Sequence, residues 1–200
     1  YLPAFGQYFA EHKEAVRAAV VAKKKIMKDL LAAGAVNRAD GVPHNKAALP
    51  VALRLYAINQ WANEQEFNLV LHLHFNDFGG RAPRAVGKYR GFALYVPDSQ
   101  YSNARASRAV ADALFAEFSR SLTPSNLPKE NDGLVTDQSL IAIGAYNTLN
   151  AASILIEYAY IYEPSLHGER RATTLARLAE ETFLGVERFF KGAPLLSEKL

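Results

Sequence analysis

The stretch FNLVLHLHFND, residues Phe67–Asp77, decides the expected fold of this chain of 200 residues. Its apolar run at Leu69–Leu73, interrupted by His72, is typical of a strand buried on both faces, and it lies between a helical pattern and a glycine-rich loop. Side chains alternate along a strand, so His72, His74 and Asn76 share one face. Ligands of open α/β sheets bind beyond the carboxyl ends of the strands, so we expect chemistry at His74 and Asn76.

Composition limits the class of protein. Half of the residues are hydrophobic, which is enough for a core, and the length predicts a single domain over residues 1–200. The 23 Lys and Arg residues against 20 Asp and Glu give a net charge of +3, without the dense basic stripe of nucleic-acid-binding proteins. We therefore expect no nucleic-acid partner. The absence of cysteine excludes thiolate zinc sites and disulfides, so any metal must be held by His, Asp or Glu.

The hydropathy pattern and the first residue bear on the cellular setting. No run approaches the about 18 uninterrupted apolar residues that a membrane span needs, so we expect none. The chain begins at Tyr1 rather than at Met, and it carries no signal-peptide pattern. We interpret it as a processed product or as a fragment of a longer protein.

Periodicity predicts the secondary structure that surrounds the opening stretch. Apolar residues recur at helical spacing in four segments, at residues 9–33, 51–66, 106–118 and 170–190. Two further strands are predicted, at 91–96 and 151–162. We predict a long loop at residues 121–138, which contain two prolines and a glycine, and a basic loop suited to an anionic substrate at 78–90. The resulting fold class is α/β: three layers, with a mostly parallel sheet and helices on both faces.

Glu157 is the most anomalous residue of the sequence. It lies inside AASILIEYAYIY, residues Ala151–Tyr162, which is predicted to be a second buried strand. An unpaired buried carboxylate is costly, so it usually has a partner or a metal nearby. Glu157 is therefore either a core glutamate in a structural ion pair or a general base whose pKa is raised by burial.

The histidines divide into candidate ligands and surface residues. Two imidazoles on one face at the end of a strand have a spacing seen in zinc hydrolases, and for His74 we favour a metal ligand over a hydrogen-bonded core residue. His72 lies deeper in the strand, where a core histidine is favoured. His44 in a linker, and His12 and His167 among charged residues, are expected at the surface.

Two motifs resemble those of the zinc-dependent N-acetylmuramoyl-L-alanine amidases of the amidase 3 type. LHLHFND is similar to their zinc-binding strand, in which a Ser and an aliphatic residue precede His, Ala and Asn. His74 takes the histidine position and Asn76 the asparagine position. SILIEYAYIYE is similar to their second motif, a strand that ends in an aliphatic residue, Glu, another aliphatic residue, Gly and Phe. Glu157 takes the position of the catalytic glutamate.

The resemblance extends over residues 51–190 in the same order. Arg54, Ala57 and Asn59 match the helix that enters the zinc-binding strand. GFALYV matches the strand that follows, and SNARASRAVADAL matches the next helix. At the motifs themselves Phe75 replaces Ala, and Tyr158, Ala159 and Tyr160 replace the family's Gly-Phe after the glutamate, which indicates altered substrate contacts.

The resemblance implies a peptidoglycan hydrolase that cleaves the amide between N-acetylmuramic acid and L-alanine. Its cofactor would be Zn²⁺ with His74 as a ligand, its base Glu157, and Asn76 would contact the substrate. Zinc would polarise the scissile carbonyl and lower the pKa of its bound water. The implied partner is peptidoglycan, and the implied location is the bacterial cell envelope or the exterior of the cell.

The chain departs from the family at the first zinc ligands. The family binds zinc through a His in a Gly-His-Gly turn, a Glu that opens the next helix and the His of the later strand, and this chain has no such turn. We expect the missing ligands upstream of Tyr1, with Glu14 or His44 as alternatives. Two other functions stay open: a catalytically inactive, amidase-like module that binds the cell wall, and an unrelated metallohydrolase with His72 and His74 both on the metal.

Overall fold

A central sheet of four strands organises the described part of the chain, residues 3–39, 41–42, 48–78, 82, 85–144 and 149–192 of a computed structural model. The helices are α1 (Pro3–Ala32), α2 (Leu49–Glu64), α3 (Ala104–Phe118) and α4 (Arg170–Phe190), with short 3-10 turns at Ile141–Ile143 and Pro164–Leu166. The strands are β1 (Leu69–Asn76), β2 (Ala93–Pro97), β3 (Leu134–Asp137) and β4 (Ala152–Tyr160). Helices flank this sheet, so the predicted α/β class is confirmed.

The strands are ordered β1-β4-β2-β3, and their directions are mixed. β2 runs antiparallel to β4, with Ala93 opposite Glu157. The hydrogen bonds from Ala152 N to Asn68 O and from Ile161 N to Asn76 O advance in the same direction along both chains, so β1 and β4 are parallel.

β2 and β3 are parallel by the same criterion. Leu94 N donates to Gly133 O at 2.8 Å, and Asp98 N donates to Asp137 O at 3.0 Å. The sheet thus has two parallel pairs joined by one antiparallel pair: β1 and β4 run in one direction, and β2 and β3 run in the other. The mostly parallel sheet expected from the sequence is present as these two pairs.

β1 lies at the edge of the sheet, and the prediction that it is buried on both faces is wrong. Leu73 is 58% exposed, and Leu69, Val70 and Leu71 are half-buried. An edge strand has a neighbour on one side only, so its apolar residues are covered less well. β4 is one of the two inner strands, the other being β2. Every residue of β4 except Glu157 is buried, so the predicted burial of this strand is confirmed apart from Glu157, which is half-buried as a residue.

β3 lies within the segment predicted to be a loop throughout, residues 121–138. The strand LVTD has four residues, which is too short to give a periodic signal in the sequence. It pairs with β2 through the hydrogen bonds given above. Its last residue, Asp137, is buried and ends the strand with a turn. Oδ1 of Asp137 accepts hydrogen bonds from the backbone N–H groups of Ser139 at 2.7 Å and Leu140 at 2.9 Å.

The chain divides into two compact units, each assembled from three separate segments. The first unit takes its described residues from 1–70, 97–105 and 136–153, and the second from 71–96, 106–135 and 154–200. Neither unit is one continuous stretch of chain. The single domain over residues 1–200 that we expected from the length stays a prediction.

The core of the first unit forms where α1 packs on α2. It contains Phe5, Tyr8, Val16, Leu53, Tyr56 and Ala57. The helical spacing predicted a buried face of α1 at Val16, Val20, Met27, Leu30 and Leu31. Val16 and Met27 are buried as predicted, whereas Leu30 is 36% exposed. The spacing predicted a buried face of α2 at Val51, Leu55, Ile58 and Ala62. It is wrong at Val51, which is 52% exposed, because α2 turns the larger Leu53 and Tyr56 toward α1. In the described residues no helix, α1 with its 30 residues included, is apolar enough over a sufficient length to cross a bilayer.

In the second unit, α3 and α4 pack on the face of β4 that carries Tyr158. The Tyr158 ring lies 5.6 Å from the ring of Phe118 on α3, and its hydroxyl is 2.6 Å from Oγ1 of Thr182 on α4. Gly185 lets α4 approach α3 closely at Leu114. The predicted bounds of α4 are confirmed. The face predicted for α3 is confirmed at Val110, Leu114 and Phe118 and is wrong at Ala106, which is exposed.

Gly185→Ala should destabilise the protein. A Cβ at Gly185 would lie 2.8 Å from Leu114 Cδ2 and 2.9 Å from Leu114 Cα, and the second atom belongs to the backbone and cannot move aside alone. We expect a loss of about 1–3 kcal/mol in the free energy of unfolding, measured by urea denaturation.

Gly6→Ala on α1 is the matched control. A Cβ at Gly6 meets nothing within 4 Å, so the better helix propensity of Ala should raise the free energy of unfolding by roughly 0.5–1 kcal/mol. Equal stability of Gly185→Ala and the wild type would contradict the close contact between α3 and α4.

Candidate functional site

The candidate site lies on the face of β4 that points away from α3 and α4. The rings of Phe75 on β1 and Tyr158 on β4 are 5.7 Å apart, so these two side chains share the face that packs against the helices. Because side chains alternate along each strand, His74 and Glu157 both lie on the opposite face. β1 and β4 are neighbours in the sheet.

Glu157 brings a carboxyl group into the interior of the sheet. Its Oε2 atom is buried and has no hydrogen-bond partner among the described residues. Burial, and secondly the negative charge of Glu130, raise the pKa of Glu157 to about 8. Glu157 is therefore largely protonated at neutral pH. Within the described residues no ion pair to Glu157 is present, so the alternative of a core glutamate in a structural ion pair gains no support.

A second buried carboxylate, Glu130, lies near Glu157. Glu130 is 1% exposed and, within the described structure, accepts three hydrogen bonds. Its Oε1 accepts from the Tyr95 hydroxyl at 2.5 Å and from Asn76 Nδ2 at 3.2 Å, and its Oε2 accepts from the Tyr160 hydroxyl at 3.0 Å. We call Glu130, Tyr95, Tyr160 and Asn76 the Glu130 cluster.

The two tyrosines of the Glu130 cluster are fixed as donors. Burial is the largest cause that raises the pKa of Tyr95 and of Tyr160, and the hydrogen bonds to Glu130 raise both further. Their hydroxyls therefore keep their protons over the physiological pH range. Ser125 Oγ, 3.3 Å from the Tyr160 hydroxyl, extends this network.

Asn76 and His74 occupy the end of β1 nearest these carboxyls. Asn76 donates to Glu130, so its amide is already engaged within the site. His74 as a residue is exposed, yet burial of part of its imidazole lowers the pKa of the ring, which favours the neutral form that binds metals. His72 is half-buried two residues earlier on the strand.

The remaining histidines have structural contacts or lie outside the described residues. The ring of His12 stacks on Tyr8 at 4.3 Å, and His167 Nε2 is 2.8 Å from the carbonyl oxygen of Ile161. His44 is outside the described part of the chain. Arg81 and Arg84 of the predicted basic loop are outside it as well, so the role of that loop stays a prediction.

The described residues do not by themselves fit a zinc ion. A catalytic zinc site needs three protein ligands, and the described part of the chain contains no group of three His, Asp or Glu side chains that could hold a metal. Glu14, one of the alternative ligands, lies exposed on α1 and forms an ion pair with Arg17 at 3.6 Å. Zinc binding and the role of His74 as a ligand stay predictions.

Sequence reasoning missed the acidic partner of the site. Glu130 lies in the predicted long loop at residues 121–138. The available signal was the length of this loop, because loops of such length are usually either functional or mobile. Tyr95 and Tyr160 lay in predicted strands as ordinary aromatic residues. A carboxyl group predicted to be buried indicates a second polar or titratable residue nearby, and the long loop contains one in Glu130.

Comparison with known proteins finds a likeness of fold to solved amidases. Neither a family model nor a curated protein matches the sequence. Among solved structures, the chain is similar to the N-acetylmuramyl-L-alanine amidase Ami1 from Mycobacterium smegmatis, with 18% identity and a TM-score of 0.53 over 85% of this chain and 74% of that chain. It is similar to the CwlD amidase from Clostridioides difficile, solved in complex with the GerS lipoprotein, with 13% identity and a TM-score of 0.51 over 89% and 86%.

A third similar structure is the catalytic domain of CwlV, the N-acetylmuramoyl-L-alanine amidase from Bacillus (Paenibacillus) polymyxa var. colistinus. It is 19% identical, with a TM-score of 0.50 over 68% of this chain and 65% of that one. Likeness at such low identity is a likeness of fold. The fold that the two sequence motifs implied is therefore confirmed: this chain has the α/β fold of these amidases.

The raised pKa of Glu157 predicts a pH-dependent stability. Between its ordinary value of 4.5 and about 8, the folded protein holds a proton that the unfolded chain has lost. The contribution of Glu157 to the free energy of unfolding is therefore fully present below pH 4.5. It declines between pH 4.5 and about 8, by at most about 1.4 kcal/mol per pH unit, and it is lost above that range.

Urea unfolding at several pH values between 5 and 8 measures this effect. Glu157→Gln cannot ionise, so the variant should gain stability relative to the wild type as the pH rises. Comparison of the two proteins cancels the titration of His74 and other groups that they share. Parallel stability curves over this range would show that Glu157 has an ordinary pKa.

Proposed function

We propose that the protein is a peptidoglycan hydrolase that cleaves the amide between N-acetylmuramic acid and L-alanine. The observation that carries the proposal is the meeting of two motifs in one site: His74 and Glu157, far apart in the sequence, lie on the same face of neighbouring strands. The chain that brings them together has the fold of three solved amidases, two of which are named as N-acetylmuramoyl-L-alanine amidases.

The chemistry of the site suits hydrolysis of an amide. Glu157 is largely protonated at neutral pH, so it can pass a proton to the nitrogen of the leaving amine. Its ionised form, whose population rises toward pH 8, can take a proton from the attacking water. Asn76 can form hydrogen bonds with amide groups of a glycopeptide. No nucleophilic side chain and no covalent intermediate are required.

We further propose His74 as the ligand that the described residues contribute to a zinc site. Its lowered pKa keeps the imidazole neutral, as metal binding requires. Because the described residues do not complete a three-ligand site, we assign no catalytic step to the metal. The expected location is extracytoplasmic, where peptidoglycan is found.

A second candidate function is a catalytically inactive module that binds the cell wall. An amidase fold that lacks zinc would keep a surface for glycopeptide, and such a module would bind peptidoglycan without cleaving it. No observation favours an unrelated metallohydrolase that uses His72 and His74 together.

Purified peptidoglycan distinguishes these functions. An amidase should release new amino termini at L-alanine without new reducing sugar ends, both of which can be measured chemically after incubation. A binding module should sediment with the peptidoglycan and release neither group. New reducing ends without new amino termini would overturn the proposed reaction in favour of cleavage of the glycan.

Variants at His74 and Glu157 should separate the two proposed roles. In the protein as its gene encodes it, His74→Ala should lower zinc content and hydrolysis together, because it removes one of few ligands. Glu157→Gln keeps the shape of the side chain, so zinc should stay bound while turnover falls on the order of 10²-fold or more.

Glu180→Gln, which changes an exposed carboxylate on α4, is the matched control and should behave as the wild type. The measurements are zinc stoichiometry, melting temperature and hydrolysis rate. If Glu157→Gln keeps near-normal turnover, or loses its zinc as completely as His74→Ala, the roles proposed for these two residues are wrong.

A further inference from the structure

The amide of Asn76 is oriented by a charged group. Asn76 Nδ2 donates to Oε1 of Glu130 at 3.2 Å. A carboxylate accepts hydrogen bonds and cannot donate them, so it selects the amide orientation in which the NH₂ group faces it. The carbonyl oxygen Oδ1 of Asn76 is then turned away from Glu130. It is left as an acceptor at the end of β1, beside His74.

Glu130 itself is held rigidly. Its side chain is 1% exposed, and the hydroxyls of Tyr95 and Tyr160 donate to its two oxygens, one to each. Tyr95 is fixed on β2 and Tyr160 at the end of β4, so two strands of the sheet determine where the carboxylate lies. A carboxylate held in this way can fix the orientation of a neighbouring side chain that is less constrained, such as the amide of Asn76.

Stability alone does not require a charge at this position. Tyrosine hydroxyls both donate and accept, so a neutral Gln at position 130 could satisfy them without the cost of burying a carboxylate. A Gln could also present its NH₂ group to Asn76 and reverse the asparagine amide. Of the partners of Glu130, Asn76 is therefore the one whose orientation depends on the charge.

We propose that Glu130 is a positioning residue that fixes Asn76 Oδ1 as an acceptor for an amide N–H of the substrate. This inference rests on the proposed function, and it assigns to the site a substrate class that presents an amide N–H beside the scissile bond, as an N-acylated amino acid does. Glu130 acts through Asn76 and does not touch the substrate.

Binding of a soluble muramyl peptide, measured by calorimetry, tests the inference in a double-mutant cycle. Asn76→Ala and Glu130→Gln should each weaken binding by about tenfold, the magnitude of one lost hydrogen bond. The double variant should bind no more weakly than either single variant, because both changes remove the same contact. In hydrolysis, the KM of each variant should rise while kcat stays within about twofold.

Glu117→Gln is the matched control. Glu117 is a second buried glutamate of the same unit, and it forms ion pairs with Arg120 at 2.6 Å and Arg188 at 3.4 Å. This variant should lose stability and keep the affinity of the wild type. The side-chain NH₂ signals of Asn76, followed by NMR with ¹⁵N-labelled asparagine, should shift in Glu130→Gln and stay unchanged in Glu117→Gln.

The possible results separate this inference from the proposed function. Wild-type affinity in Glu130→Gln or in Asn76→Ala, or additive losses in the double variant, would overturn the inference while the function stands. A wild-type protein that neither binds nor cleaves muramyl peptides would overturn the function and the inference together. Equal, non-additive losses with an unchanged control would establish Glu130 as the residue that orients Asn76.

Discussion

The central position of β4 is the constraint on which the rest of the structure depends. β4 pairs with β1 on one side and β2 on the other, so its residues are covered, and Glu157 must carry its carboxyl group into the interior. The same two pairings bring His74 and Tyr95 to the neighbourhood of that carboxyl. No single motif contains the site. It exists because the order of the strands places segments from distant parts of the sequence on one face of the sheet.

The electrostatics of the site follow from the burial of two acids. Two carboxylates in a poorly solvated space repel, and the state in which one of them holds a proton is favoured. The hydroxyls of Tyr95 and Tyr160 stabilise negative charge on Glu130, whereas Oε2 of Glu157 has no donor among the described residues. The pKa of Glu157 is raised accordingly, first by burial and secondly by the charge of Glu130. A carboxyl group whose pKa is raised by burial and by a neighbouring charge is typical of sites that transfer protons.

Local patterns predicted the elements with strong periodicity and missed what depends on distant contacts. The strand around Glu157 and the bounds of α4 followed from apolar runs and helical spacing, and the resemblance of two motifs gave the fold. The edge position of β1 did not follow, because an apolar run does not reveal how many neighbours a strand will have. Glu130 was hidden for a related reason: its burial is created by Tyr95 and Tyr160, which come from other parts of the sequence.

The edge position of β1 has a consequence for the motions of the protein. Amide hydrogens of a strand with one neighbour exchange with solvent through small local openings, whereas those of a central strand exchange when much larger parts of the structure open. His74 and Asn76 therefore belong to the part of the sheet that opens most readily, and Glu157 belongs to the part that opens last. A transient separation of β1 from β4 would divide the site into two halves while the remaining sheet stays folded, and the return of β1 would restore it. The lifetime of the intact site can therefore be much shorter than that of the folded protein.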